Sequence, residues 1–401
     1  VSAPAVARLP DATAALAEVR RLVPTLAGRA EAHDRDGSFP LDDLADLRRA
    51  GLFGLMVPTR LGGPGAGFAD YSEVAVELGA AHGATALIMN MHVSVTGALA
   101  STPDDLARAL GVPDSFFAAR DRTLRAALDG AWYAVAMSER GAGSRLSALT
   151  SRYLPVGDGW RITGEKSFVS GAGHADGYLV AARAGDGRVS QFLVPAGPGI
   201  SVRPAWDSLG MRATASHDLL LDVVVPADAL LGGIEGLALP LAQLMPQWLV
   251  ASYAAVYVGV ARSAVEAATS HLRERGLHRL PAVRARVGRA EAMVAASRLA
   301  VLEAARRVDA APGTPETNRW VWRAKLLAGE TAMTVAASML EAAGTSATRR
   351  GHPLERIFRD ARCGSLQPAT SDVCADWLGA AELGLDPDNM GPDGGAEVAR
   401  W

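Results

Sequence analysis

Hydrophobic positions recur at helical spacing early in the chain, over residues 14–26, 41–50 and 71–78, and small apolar residues fill 84–100. Breakers separate these runs. Ser38-Phe39-Pro40 precedes the second, Gly62-Gly63-Pro64-Gly65 makes a loop before the third, and Pro103-Asp104-Asp105 carries a helix-start signal. From about residue 131 to 231 the period shortens. Runs such as 132–136, 178–182, 191–194 and 219–225 are β-rich. Turn formers divide them at Val156-Gly157-Asp158-Gly159, Ala184-Gly185-Asp186-Gly187 and Pro195-Ala196-Gly197-Pro198-Gly199. Short strands with regular turns predict a small antiparallel barrel or sandwich. Beyond Gly236 long Ala-rich helical faces return up to about Gly384, and the last residues are rich in Gly, Pro and Asp. The pattern predicts an α+β chain that is mostly α. It has helices over 1–126, a β domain over 127–232, helices over 233–385 and a flexible tail over 386–401. A ligand site is expected at the edge of the middle domain, since pockets favour domain junctions.

With 401 residues, 49% of them hydrophobic, the chain can bury a large core. Its 40 Lys and Arg against 43 Asp and Glu give no electrostatic reason to expect nucleic acid or an anionic membrane as partner. Two cysteines, Cys363 and Cys374, make neither a disulfide framework nor a metal site, which fits a cytoplasmic protein. No charged segment followed by an apolar one opens the chain as a secretory signal would. Residues 236–261 hold no charge and are long enough to span a bilayer. However, Gln243, Pro246 and Gln247 interrupt them, and Arg262 and Glu266 continue the same helical pattern. The expectation is a buried helix of the C-terminal domain.

Chemistry concentrates in a few blocks. Met137-Ser138-Glu139-Arg140-Gly141-Ala142-Gly143-Ser144 follows a predicted strand; its glycines let backbone N–H groups approach an anionic group, and Ser138 and Ser144 add hydroxyls. Then come Gly164-Glu165-Lys166-Ser167-Phe168-Val169-Ser170-Gly171-Ala172, Trp206-Asp207-Ser208-Leu209-Gly210-Met211-Arg212-Ala213-Thr214, and Pro353-Leu354-Glu355-Arg356-Ile357-Phe358-Arg359-Asp360-Ala361-Arg362. Phe168 and Ser170, two apart, share one strand face, where an aromatic ring and a hydroxyl can meet a planar ligand; a plain core aromatic is the competing reading. Arg359-Asp360 is expected as a structural ion pair within the bundle. His92, in Met89-Asn90-Met91-His92, is either a hydrogen-bonded core histidine or an acid–base group in a dry pocket.

In this order and spacing the blocks resemble the acyl-CoA dehydrogenase family over about residues 10–385. The resemblance implies an N-terminal helical domain, a middle antiparallel β-barrel domain and a C-terminal four-helix bundle. FAD lies between the last two, and the usual assembly is a homo-oligomer, tetramer or dimer. It places Met137 and Ser138 at the pyrimidine end of the flavin, and Gly143 and Ser144 near its pyrophosphate and a thioester ligand. Phe168 stands beside the isoalloxazine, Ser170 at flavin N5, and Thr370 and Asp372 at the adenosine part.

The chain also departs from that family. Its base for removing the α-proton of a thioester is a glutamate, whose usual position is Pro368 here, within Gln367-Pro368-Ala369-Thr370, and whose rarer position is Leu249. Gln247 and Gln367 lie nearby, and neutral amides orient a carbonyl without accepting its proton. His92 and Gln367 remain the candidate catalytic residues. The Arg-x-x-Phe-Gly segment that reaches a neighbouring subunit's flavin is replaced by Arg273-Glu274-Arg275-Gly276-Leu277-His278-Arg279-Leu280-Pro281. FAD is therefore expected, with FMN or a loosely held reduced flavin as alternatives. Three functions follow. The first is oxidation of an acyl-CoA or acyl carrier protein thioester, with electron-transfer flavoprotein as partner. The second is a monooxygenase supplied with reduced flavin by a flavin reductase, a secondary-metabolism role among them. The third is a redox-silent thioester-binding or cyclising protein.

Overall fold

The computed structural model describes residues 6–385, and the tail expected over 386–401 lies outside them. The chain opens with α1 (Ala12–Asp36), whose start is fixed by Asp11 accepting the Ala14 N–H at 2.8 Å. Next come α2 (Leu41–Arg49), α3 (Phe68–Ala81), α4 (Gly83–Ala100), α5 (Asp104–Ala109) and α6 (Asp114–Leu128). α4 has almost no polar face because it is buried nearly all round.

The middle domain holds β1 (Tyr133–Ala136), β2 (Arg152–Val156), β3 (Gly159–Val169), β4 (Gly177–Arg183), β5 (Val189–Pro195), β6 (Ile200–Arg203) and β7 (His217–Pro226). They form one sheet in the order β1-β4-β2-β3-β7-β6, with β5 paired to β4. Hairpin neighbours are antiparallel, as the turn signals require. β1 runs parallel to β4, and a single β2–β4 bridge is also parallel. That departure from an all-antiparallel expectation follows from the connection: β1 reaches β4 through β2 and β3 rather than through a tight turn.

Beyond α7 (Ala238–Leu244) the bundle consists of α8 (Ala251–Glu274), α9 (Pro281–Ala310), α10 (Pro315–Ala343), α11 (Pro353–Arg362) and α12 (Ser371–Glu382). Among the described residues, two helical stretches are long and apolar enough to cross a membrane, Gly83–Ala100 and Pro246–Glu274. Their apolar windows are 89% and 72% buried inside the protein, so the core accounts for their composition. α3 and α8 touch through backbone. A Cβ on Gly79 would fall 2.3 Å from the Val256 carbonyl oxygen, and one on Gly259 2.3 Å from that of Val76. The N-terminal helices and the bundle therefore share one core.

The β domain docks on this helical body through the loop before β7. Asp360 accepts the Met211 N–H at 2.6 Å, and Arg359 donates to the Leu209 carbonyl at 2.9 Å. The Arg359 guanidinium forks onto Asp34 of α1 at 2.9 and 2.5 Å and also pairs with Glu355 at 2.7 Å. Arg359 and Asp360 were expected to form a pair inside the bundle. They do not pair with each other, because adjacent side chains on a helix point in different directions. Within the bundle Arg359 pairs with Glu355 and Asp360 with Arg356, and each also ties the bundle to another domain.

Candidate active site

The end of β1 and the end of β3 lie side by side. Ser138 accepts the Ser167 N–H through its carbonyl at 2.9 Å, and Lys166 Nζ donates to the Met137 carbonyl at 3.3 Å and to Glu139 at 2.7 Å. Glu139 also accepts from Thr150 N (2.7 Å), Thr150 Oγ1 (2.6 Å) and Ser151 N (3.1 Å). Burial works to raise its pKa, but the Lys166 ammonium and the Thr150 donors outweigh burial and hold it at about 2. Burial pushes Lys166 down to about 8, so both groups are charged at neutral pH. This buried pair fixes the strand ends that carry Met137, Ser138, Phe168 and Ser170. Just beyond it the chain reverses, with Glu139 and Gly143 exchanging backbone bonds at 3.0 and 2.7 Å. The reversal needs φ +60° at Gly143, and it leaves Gly143 exposed and Ser144 half-buried.

Phe168 sits on an irregular step of the β3–β7 ladder with φ +58°, a backbone that phenylalanine rarely adopts, and is 63% exposed. Its ring meets Trp206 edge-on at 6.3 Å. An apolar ring held outward in a strained conformation is not part of a packed core, and it leaves a face that a planar ligand could cover. Behind it, buried Ser170 lies 2.9 Å from Ser216 Oγ, which lies 2.7 Å from Thr214 Oγ1. Ring, hydroxyl and glycine turn lie on the adjoining ends of β1 and β3, and that set fits a flavin. Such a group would be held by Met137, Ser138, Ser144, Phe168 and Ser170. Thr370 and Asp372 stand apart at the start of α12. Thr370 caps the helix by accepting the Val373 N–H at 3.3 Å, and Asp372 is exposed.

The two catalytic candidates differ. His92 is buried with both nitrogens occupied: Nδ1 accepts the Tyr133 N–H at 3.1 Å, and Nε2 faces the Phe53 carbonyl at 2.8 Å. Burial pushes its pKa down to about 4, so it is a neutral pin between α4, β1 and the turn at Phe53, with no nitrogen left for substrate. Gln367 does have capacity, since its buried side-chain oxygen lacks a partner. Other neutral groups share that state: Gln247 Oε1, Trp248 Nε1, Tyr257 OH and Asn90 Nδ2. The elements that carry them touch one another. Ser94 of α4 donates to the Trp248 carbonyl (2.6 Å), Tyr253 of α8 to Met91 Sδ (3.7 Å), and the Tyr257 ring abuts Gly364. A cleft of about 300 Å³ opens beside Gly97, Gln247 and Trp248. Asp309, the carboxylate on its wall, is spent capping α3 by accepting the Phe68 and Ala69 N–H groups at 2.7 and 2.8 Å.

Sequence reasoning gave no role to Lys166, to the Thr214–Ser216 hydroxyls or to Lys325. The available signals were Lys166 beside Phe168 and Ser170 in one block and Thr214 at the end of another.

Residues 10–104, 134–224 and 251–370 match the N-terminal, middle and C-terminal domains of acyl-CoA dehydrogenase. L-evernosamine nitrososynthase of Micromonospora sp. is 31% identical over 386 residues, covering 92% of this chain and 89% of that protein. The putative acyl-CoA dehydrogenase YdbM of Bacillus subtilis is 28% identical, covering 86% and 91%. Among solved structures, FMN-bound TdsC from Paenibacillus sp., a dibenzothiophene monooxygenase, superposes with TM-score 0.81 at 26% identity, covering 92% and 97%. The chain belongs to the acyl-CoA dehydrogenase family and is a flavin-dependent oxidoreductase built on that fold.

Proposed function

We propose that the chain is a monooxygenase that takes reduced flavin, FMN before FAD, from a separate reductase and oxygenates a small neutral molecule. One observation carries this reading: both positions that the resemblance assigns to the family's glutamate are apolar, Pro368 and Leu249. The unpartnered buried groups Gln367, Gln247, Trp248 and Tyr257 are neutral, and the buried Lys325 beside Pro368 is engaged by the Gly364 and Gln367 carbonyls and supplies no carboxylate. Removal of a thioester α-proton needs a base there. Oxygen transfer does not: with dioxygen as co-substrate, a bound reduced flavin would supply the two electrons needed for one oxygen atom to enter the substrate and the other to leave as water. FMN in TdsC and the nitrososynthase relationship support the same branch. The residues of this chain would do four things. Met137, Ser138 and Ser144 hold the cofactor, Phe168 and Trp206 cover its ring, Ser170 faces N5, and Gln367 with Gln247 orients the substrate. Thioester oxidation, with acyl-CoA or acyl carrier protein as substrate and electron-transfer flavoprotein as acceptor, lacks its base at these positions.

The test uses the purified chain with oxidised FMN or FAD. Anaerobic addition of butyryl-CoA is expected to leave the visible flavin spectrum unchanged. Reduced FMN followed by oxygen is expected to give a slower, biphasic reoxidation than free FMN. Bleaching by the thioester would sink the proposal.

A further inference from the structure

The hydroxyl series behind Ser170 has a direction. Thr214 Oγ1 donates to the Met211 carbonyl at 2.9 Å, Ser216 Oγ is 2.7 Å from Thr214 Oγ1, and Ser170 Oγ is 2.9 Å from Ser216 Oγ. Each hydroxyl has one proton to give and lone pairs to receive. Thr214 is 0% exposed and the two serines 6%, so bulk water does not compensate for an unplaced proton. With Thr214 donating to the carbonyl, Ser216 must donate to Thr214 and Ser170 to Ser216. That makes three internal bonds and leaves Ser170 with lone pairs only. In the reverse orientation Thr214 donates to Ser216 and Ser216 to Ser170, so the Ser170 proton points outward and only two internal bonds remain. The Met211 carbonyl then keeps the Thr214 and Trp206 N–H donors, at 3.1 and 3.2 Å.

We propose that this relay makes the site selective for the redox state of its flavin, favouring the reduced form because Ser170 is set to receive a hydrogen bond rather than to give one. The inference rests on the reading that Ser170 faces flavin N5. Oxidised N5 carries a lone pair and no proton, whereas reduced N5 carries a proton. Reduced flavin adds its own bond to the three internal ones, giving four. Oxidised flavin leaves three in either orientation of the relay. One ordinary hydrogen bond corresponds to roughly fivefold in affinity. The protein would capture the reduced cofactor from its supplier and release the oxidised one.

FMN is the probe, because its binding involves no adenosine contacts. Dissociation constants for oxidised FMN, and for reduced FMN under anaerobic conditions, are measured on the full chain and on Ser216→Ala, Thr214→Val and Ser170→Ala. The unaltered chain is expected to bind reduced FMN more tightly. In Ser216→Ala each redox state makes one bond to Ser170, so the ratio of the two constants is expected to fall roughly fivefold. That equals about 20 mV in the bound-flavin potential at about 30 mV per decade. Thr214→Val shortens the relay in the same sense and serves if Ser216→Ala does not fold. An unchanged ratio in both variants, with a changed ratio in Ser170→Ala, would overturn the relay and keep the N5 reading. A Ser170→Ala protein with both constants unchanged would remove the N5 reading and the relay with it. Equal affinity of the unaltered chain for the two redox states would also overturn the proposal.

Discussion

His92 is locked in one neutral tautomer by Tyr133 N–H on one nitrogen and the Phe53 carbonyl on the other. A proton on Nδ1 would break the first bond and bury a charge, which is why its pKa falls from 6.5 to about 4. The unfolded chain, with an ordinary histidine, therefore binds the proton first as pH falls. His92 supports the folded state fully above about pH 6.5 and loses that contribution toward pH 4, a swing of about 3 kcal/mol. His92→Phe should cost roughly 2–4 kcal/mol at pH 7, since a buried N–H and a buried C=O lose their partners. The same variant should lose less further stability than the parent between pH 7 and 5. Urea midpoints at the two pH values measure both effects, and an unchanged acid slope would assign the titration to another group. No sequence pattern could decide between core and catalytic histidine at this position. Both partners are backbone groups, 41 and 39 residues away.

Two buried lysines set the ends of elements, and both escape a reading of sequence for the same reason: lysine is by default a surface residue, and only a partner brought by the fold draws it inside. Lys166 joins β3 to the end of β1 through Glu139. Lys325 of α10 donates to the carbonyls of Gly364 (2.8 Å) and Gln367 (3.1 Å), holding the segment that follows α11. Strands flanked by Gly-Asp-Gly turns and helices flanked by Pro or Gly breakers are legible, because local chemistry fixes them. The β3 irregularity that turns Phe168 outward is not, because it depends on pairing with β7. Lys166→Met should cost about 3–5 kcal/mol by stranding the Glu139 carboxylate, and adding Glu139→Gln should recover part of it. Lys325→Met should speed amide hydrogen exchange over 364–367 at least tenfold while leaving β1 and β3 unaffected. Equal exchange in parent and variant would show that the Gly329–Gly364 and Tyr257–Gly364 packing alone holds the segment.

At the scale of the molecule, the helical body and the β domain are joined in different ways. α3 and α8 share a glycine-lined backbone contact that no single side chain controls, whereas the β domain is clasped by side chains, Arg359 and Asp360 acting on Leu209 and Met211 and His92 on the Tyr133 N–H. Arg359 is the hub of that clasp. It neutralises Asp34 and Glu355 together, is itself largely buried, and has its pKa raised by its two carboxylates against the opposing effect of burial. Asp34→Asn leaves Arg359 still paired with Glu355 and should be the milder change. Arg359→Met strands two carboxylates and frees the Leu209 carbonyl, a loss of about 3–5 kcal/mol. Because the α3–α8 backbone contact does not depend on this hub, the loss should fall on the attachment of the β domain and on the α1–α11 contact made through Asp34, and not on α8. Calorimetry of the parent should give one transition, and Arg359→Met should give an earlier, separate one carrying the hydrogen exchange of β3, β4 and β7. A single transition moved to lower temperature, with exchange raised equally in α8 and the strands, would mean that the three domains unfold as one body and that the clasp is only one contact among many.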